Sequence, residues 1–192
     1  FSSFAACLRR DGARDEAGRP YVGQATVFCS HAWAFELDLS LDTLEAYAAT
    51  QPEPDKVYFW FDLFTNDQHG APALPQLWWK TTFQQAIEKI GATLLILSPW
   101  RDPRPLTRAW CLWEILCTVR CGSALAVQLP PLEAASFAAA LNDDFSSIIG
   151  ALSNVDVRRA EAWRAADKGM IHRAVEGTIG FSDMNQLLIK QL

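Results

Sequence analysis

The chain has 192 residues, of which 50% are hydrophobic and 20% are charged, and its formal net charge is −5. This composition excludes an intrinsically disordered chain, which would be less apolar and more charged. It also argues against a nucleic-acid-binding protein, because such a protein needs a basic surface to neutralise phosphates. The apolar runs are far shorter than the roughly 18–20 residues that span a bilayer, so we expect no membrane segment.

The cysteines and residues 1–10 indicate in which cellular compartment the protein lies. Five cysteines are an odd number, and their spacing fits neither a CxxC pair nor a disulfide framework. We therefore expect reduced thiols in a cytoplasmic protein rather than disulfides or a zinc site. Residues 1–10 lack the basic segment and long apolar stretch of a signal peptide. Because the sequence begins with Phe1 rather than Met, we expect a fragment of a longer chain.

The predicted elements begin with a short helix and a linker in residues 1–23. Four apolar runs follow, and none alternates between polar and apolar residues. They cover residues 25–30 (ATVFCS), 57–62 (VYFWFD), 93–98 (TLLILS) and 124–129 (ALAVQL). Continuous apolar runs are typical of strands that are covered on both faces of a parallel sheet.

Helical patterns separate these strands. They cover residues 36–50, 77–90 and 107–121, with Thr107 as the predicted N-cap and Gly91 and Gly122 as stops. Alternation of strand and helix predicts an α/β fold with an open, doubly wound parallel sheet.

The chain turns helical beyond residue 130, and no fifth strand is evident. Helices are predicted over residues 132–141, 144–152, 157–175 and 182–192. We therefore divide the chain into an N-terminal helix and linker (1–23), an α/β domain (24–130) and a C-terminal helical extension packed on that domain (131–192).

The strand ends point to a ligand site, because open parallel sheets bind ligands outside the carboxyl ends of their strands. Polar or aromatic side chains follow three of the apolar runs. They are Ser30, His31 and Trp33 after the first, Asp62 after the second, and Ser98 and Trp100 after the third. Two alternatives stay open here: His31 as a structural histidine, and Asp62 as a cap of the following turn.

The helix over residues 107–121 carries a second candidate. Trp110 and Glu114 are four residues apart and share one face. Glu114 lies in an apolar sequence, so its carboxylate must meet a pocket or a partner. The alternative is a surface glutamate paired with Arg108 or Arg120. Glycine-rich phosphate loops are absent, and the three histidines lack metal-ligand spacing.

Several motifs, in the right order, resemble those of TIR domains. Residues 28–31 (FCSH) resemble the first-strand signature, and 61–62 (FD) resemble the second-strand end that opens the long BB loop. Residues 83–87 (FQQAI) and 95–100 (LILSPW) are similar to the next helix and strand. The strongest match is 108–115 (RAWCLWEI), although an arginine replaces the usual serine at 108.

The resemblance implies a flavodoxin-like fold with strand order 2-1-3-4-5 and a divergent NAD⁺ nucleosidase that acts in immune or stress signalling. It implies that Glu114 is catalytic and that the nicotinamide–ribose bond is cleaved to give ADP-ribose or a cyclic product. NAD⁺ is then a substrate, and no cofactor or metal is required. The predicted substrate-binding residues are Ser30, His31, Trp33, Asp62, Ser98, Trp100 and Trp110.

The resemblance also implies self-association through loop 63–77, and association with other TIR domains. An alternative is a non-catalytic module for homotypic assembly. A weaker alternative is a transferase that acts on another nucleoside or nucleotide N-glycoside.

Overall fold

The computed structural model describes residues 2–70 and 76–191, apart from the side chains of residues 76, 77, 79 and 191. Its centre is a parallel sheet of four strands: β1 (Val27–Ser30), β2 (Phe59–Trp60), β3 (Ala92–Ile96) and β4 (Ala124–Gln128). Their order is β2-β1-β3-β4. The predicted α/β class and the flavodoxin-like winding are therefore confirmed. In the described part of the chain, no fifth strand follows β4.

Helices cover the sheet and extend beyond it. Within the described ranges they are α1 (Phe4–Arg10), α2 (Leu37–Ala49), α3 (Asp62–Thr65), α4 (Gln76–Ile90), α5 (Ala109–Arg120), α6 (Pro131–Asp143), α7 (Phe145–Ser153), α8 (Ala165–Glu176) and α9 (Phe181–Gln191). Gly91 and Gly122 follow α4 and α5 with φ of +78° and +67°. Both are stops as predicted, because glycine adopts this left-handed conformation without steric cost. None of these described helices is long and apolar enough to cross a membrane.

Two cores cover the two faces of the sheet, because successive strand residues point to opposite faces. Phe28, Leu95 and Leu97 pack with α4 and α5, and the C-terminal helices α8 and α9 join the same core. Cys29 and Leu94 face the other way, into a core that α2 helps to form. Helix α5 thus lies buried between the sheet and α8.

Three predicted boundaries are wrong. Arg108, not Thr107, is the N-cap of α5, since Thr107 belongs to a 3₁₀ turn and donates its hydroxyl to the Arg104 carbonyl. The helix predicted over 157–175 is a 3₁₀ turn (Val157–Arg159) followed by α8. Strand β2 is only two residues long, because Asp62 already begins α3.

The N-terminal segment packs beside β2, at the edge of the sheet. The Phe4 and Phe64 rings lie 5.5 Å apart, and the Tyr58 hydroxyl donates to the Pro20 carbonyl at 3.1 Å. Arg19 forms an ion pair with Asp55. The segment that the sequence predicted as a linker therefore also packs against the edge strand.

We predict that the two leucines Leu112 and Leu132 differ sharply in their contribution to stability. Leu112 is fully buried in α5, whereas Leu132 is 87% exposed in α6. Leu112→Ala should lower the free energy of unfolding by about 2–5 kcal/mol, because it leaves a cavity in the core. Leu132→Ala should change it by less than about 0.5 kcal/mol. Thermal or urea unfolding of both variants measures the difference, and similar losses would contradict the described packing.

Candidate functional site

The centre of the site is a hydrogen bond between Glu114 and Ser30. Glu114 lies on α5 and is only 8% exposed, and Ser30 is the last residue of β1 and is fully buried. The Ser30 hydroxyl donates to Glu114 Oε2 at 2.5 Å. Trp113 and Ile115, on either side of Glu114 in the sequence, are buried in the core and fix the orientation of α5. The alternative of a surface glutamate is therefore wrong.

Burial raises the pKa of Glu114 to about 8, because a charged carboxylate loses its hydration there. The hydrogen bond from Ser30 opposes this rise. The negative charge of Asp62 adds to it, and the positive charge of Arg108 opposes it. With this pKa, the buried Glu114 carboxyl is mostly protonated at neutral pH.

A second polar system lies beside the first and is centred on Asp62. His31 Nε2 and Asp62 Oδ1 are 2.8 Å apart, and Trp33 Nε1 donates to Asp62 Oδ2 at 2.8 Å. The pairing of Phe28 with Trp60 puts Asp62 level with Ser30, one strand across. Asp62 does not cap its helix with its side chain, so the alternative of a simple turn cap is wrong.

Arg108 and Cys111 hold the backbone of His31 in place. The His31 carbonyl accepts hydrogen bonds from Arg108 Nη1 at 3.0 Å and from the Cys111 thiol at 3.3 Å. The Arg108 guanidinium also lies 5.3 Å from the centre of the Trp33 ring. The beginning of α5 is thus tied to the chain just after β1.

These residues meet where the winding of the sheet changes direction. Strand β1 has β2 on one side and β3 on the other, so the connections from β1 and β2 leave in opposite directions. Ligands of open α/β sheets bind at this position, outside the carboxyl ends of the strands. The structure therefore brings Ser30, His31, Trp33, Asp62 and Glu114 together at the place that the sequence predicted.

The other predicted substrate-binding residues have packing contacts of their own. Ser98 is buried beyond the end of β3. Trp100 packs against Phe137 of α6 and donates its indole N–H to Ser136. Trp110 packs edge-on against Phe83 and donates to Asp167 of α8 at 3.2 Å. The C-terminal extension thus accounts for the positions of both tryptophan rings.

The predicted assembly loop 63–77 lies only partly within the described residues. Residues 71–75 and the side chains of 76 and 77 lie outside them. At the start of the loop, the Gln68 side-chain amide donates to the Asp62 carbonyl at 2.8 Å. Trp78, which follows the loop, is more than one-third exposed, so it does not belong to the core.

Sequence reasoning missed the role of Arg108, which it treated as a departure from the family pattern and as an alternative partner of Glu114. The sequence clue to this role was that Arg108 directly precedes the part of the helix that carries Trp110 and Glu114. Sequence reasoning also missed Asp167, whose partner Trp110 lies 57 residues earlier in the chain. No local pattern predicts such a distant contact.

Two cavities lie away from Glu114. One, of about 1230 Å³, lies beneath the N-terminal segment, between α1, α2 and β2. The other, of about 120 Å³, lies between Trp100 and α7. Among the described residues, no three His, Cys, Asp or Glu side chains come together as metal ligands. Glu114 itself is buried, with 8% of its surface exposed.

Comparison with models of protein families, with curated proteins and with solved structures finds no match for this chain. Support for a function of this chain therefore comes from the geometry of the site and from the sequence motifs.

We predict that Glu114→Gln stabilises the protein at alkaline pH. A pKa raised from 4.5 to about 8 contributes stability that is complete below pH 4.5 and is lost as the pH rises through 8. Glutamine stays neutral and avoids this loss. Relative to wild type, the variant should gain at least about 1 kcal/mol between pH 5 and pH 9, roughly the equivalent of one unit of pKa.

The measurement is the free energy of unfolding across this pH range. Glu88→Gln, which neutralises an exposed glutamate of α4, is the matched control. A Glu114→Gln curve parallel to that of the wild type would contradict a buried, mostly protonated carboxyl.

Proposed function

We propose that this chain is a TIR-like NAD⁺ nucleosidase that cleaves the nicotinamide–ribose bond, with Glu114 as its catalytic residue. One observation carries the proposal. The buried Glu114–Ser30 pair lies at the carboxyl end of β1, at the switch point of a flavodoxin-like sheet. A carboxyl group buried at a ligand-binding position is a candidate catalytic group, because an active site needs such a perturbed pKa.

The chemistry suits a site with one carboxylate. Nicotinamide is a cationic pyridinium in NAD⁺ and leaves as a neutral ring, so no general acid is required. Ordinary glycoside hydrolysis, by contrast, uses two carboxyl groups. Ionised Glu114 stabilises the positive charge that develops on the ribose. A carboxylate acts strongly there, because burial lowers the local dielectric constant.

The substrate itself favours the ionised form of Glu114. A nicotinamide cation beside the carboxyl group lowers its pKa, because an opposite charge stabilises the carboxylate. Burial favours the protonated carboxyl group, and a bound cation promotes release of its proton. The raised pKa of Glu114 is therefore compatible with catalysis at neutral pH.

Other residues of the site suit the rest of a dinucleotide. Trp33 is 61% exposed and offers a ring face for stacking. Arg108, half-buried beside it, suits the diphosphate, since a guanidinium binds phosphate oxygens with paired hydrogen bonds. Attack by water gives ADP-ribose, whereas attack by an adenine nitrogen or a ribose hydroxyl gives a cyclic product. Self-association through loop 63–77 remains part of the proposal.

We predict that the purified protein releases nicotinamide from NAD⁺ and that Glu114→Gln lowers the rate at least about 100-fold, the loss typical of a removed electrostatic stabiliser. Chromatography of the products over a range of protein concentrations measures the rate and separates linear from cyclic products. Glu88→Gln, the exposed control, should match the wild type. Absence of release at every concentration would refute the proposed reaction, and an unchanged rate in Glu114→Gln would refute the assignment of the residue.

The pH dependence gives a second prediction. Since kcat/KM reports groups of the free enzyme, it should rise with pH and level off above about 8, the pKa of Glu114. The corresponding break in kcat should lie at lower pH, because the cationic substrate is then bound. Initial rates between pH 5.5 and 9.5 give both profiles. A kcat/KM that is constant over this range would show that ionisation of Glu114 does not control the reaction.

A further inference from the structure

His31 carries a buried nitrogen that has no hydrogen-bond partner within residues 2–70 and 76–191 as described. Its side chain is 3% exposed, and Nδ1 is without a partner among the described residues. The ring is otherwise well fixed, by Asp62 at Nε2 and by packing on Phe61 at 4.6 Å between ring centres. A buried polar atom without a partner destabilises the folded state, so such an atom needs a reason to persist.

The partners of Asp62 determine which nitrogen of His31 is basic. An ionised Asp62 only accepts hydrogen bonds, and its second oxygen already accepts one from Trp33. The neutral His31 ring therefore carries its proton on Nε2, which donates to Asp62. Nδ1 then presents a free lone pair, which is the form of a histidine that accepts a proton.

Glu114 and His31 lie on opposite sides of the same strand end. Ser30 and His31 are consecutive, so their side chains point to opposite faces of the sheet. Ser30 faces α5 and bonds to Glu114, and His31 faces Phe61. The Asp62 charge is close enough to raise the pKa of Glu114, so the two systems are neighbours. Under the proposed function, a substrate at the switch point contacts both systems.

We propose that His31 Nδ1 is the general base that activates the attacking nucleophile. This inference rests on the proposed function. As the bond between C1′ and nicotinamide breaks, its electron pair leaves with the nicotinamide nitrogen. Water forms the new C1′–O bond and gives its proton to Nδ1. Asp62 stabilises the resulting imidazolium, which then releases the proton to solvent. The products are nicotinamide, ADP-ribose and one proton.

The roles proposed for Glu114 and His31 predict different requirements for hydrolysis and for base exchange of NAD⁺. Hydrolysis requires removal of a proton from water. Base exchange with 3-acetylpyridine does not, because the pyridine nitrogen attacks C1′ with a free lone pair. Both reactions break the same bond, so both need Glu114. Only hydrolysis needs His31.

The decisive experiment compares both reactions in wild type and His31→Gln, with NAD⁺ and added 3-acetylpyridine. Glutamine keeps an N–H donor for Asp62 but supplies no base. Hydrolysis should fall about 100-fold, as expected for loss of a general base, while exchange stays within about threefold of the wild type. His172→Gln is the matched control, because that histidine lies on α8 and contacts the Ala160 carbonyl.

Asp62→Asn tests the same role without altering His31. Because Trp33 needs an acceptor, the asparagine oxygen faces Trp33 and its amide donates to His31 Nε2. The His31 proton then moves to Nδ1, and the base is lost. At pH 9, where Glu114 is ionised, hydrolysis should again fall while exchange persists. This second variant also decides the case in which His31→Gln does not fold.

The possible outcomes test the proposed NAD⁺ cleavage and the proposed role of His31 separately. A wild type that neither hydrolyses nor exchanges refutes the proposed function. A wild type that does both, with the two reactions falling together in both variants, refutes the base and leaves Glu114 in its role. Hydrolysis that is unchanged in either variant also refutes the base. Selective loss of hydrolysis supports it.

Discussion

The hydrogen bond between Ser30 and Glu114 is the constraint on which the site depends. It joins the end of β1 to the middle of α5, and it involves a buried carboxyl group that forms no ion pair with any residue that the structure describes. Burial without full charge compensation keeps the carboxyl protonated and makes its ionisation sensitive to a nearby cation. The order of the sheet puts this pair at the switch point, where α/β proteins bind ligands.

The His31–Asp62–Trp33 system complements this pair on the other face of the same strand. Arg108 and Cys111 fix the His31 carbonyl, so α5 positions both systems at once. In the proposed mechanism, Glu114 stabilises positive charge and His31 accepts a proton. Both side chains are buried, whereas the Trp33 ring is exposed with Arg108 beside it.

Much of the fold follows from local patterns. The four apolar runs mark the four strands, of which β1 and β3 are the buried central ones, and glycine stops mark the ends of α4 and α5. The prediction of Thr107 as a cap was wrong, because any threonine before a helix fits that pattern. Here the Thr107 hydroxyl donates instead to the Arg104 carbonyl, within a 3₁₀ turn. Polar residues after the strands predicted Ser30, His31 and Asp62 as neighbours, since parallel strands end at one edge of the sheet. Glu114 was a separate candidate on the helix of residues 107–121.

The sequence by itself determined the α/β class, the position of the site edge and most of its polar residues, because these depend on periodicity and on where apolar runs stop. Only the tertiary structure decided which tryptophans pack against distant helices and which stay exposed. Trp100 and Trp110 contact α6 and α8, which lie tens of residues away in the chain, whereas Trp33 stays exposed at the site. It also decided that Glu114 is buried and that His31 Nδ1 has no partner among the described residues, because burial depends on packing between distant segments.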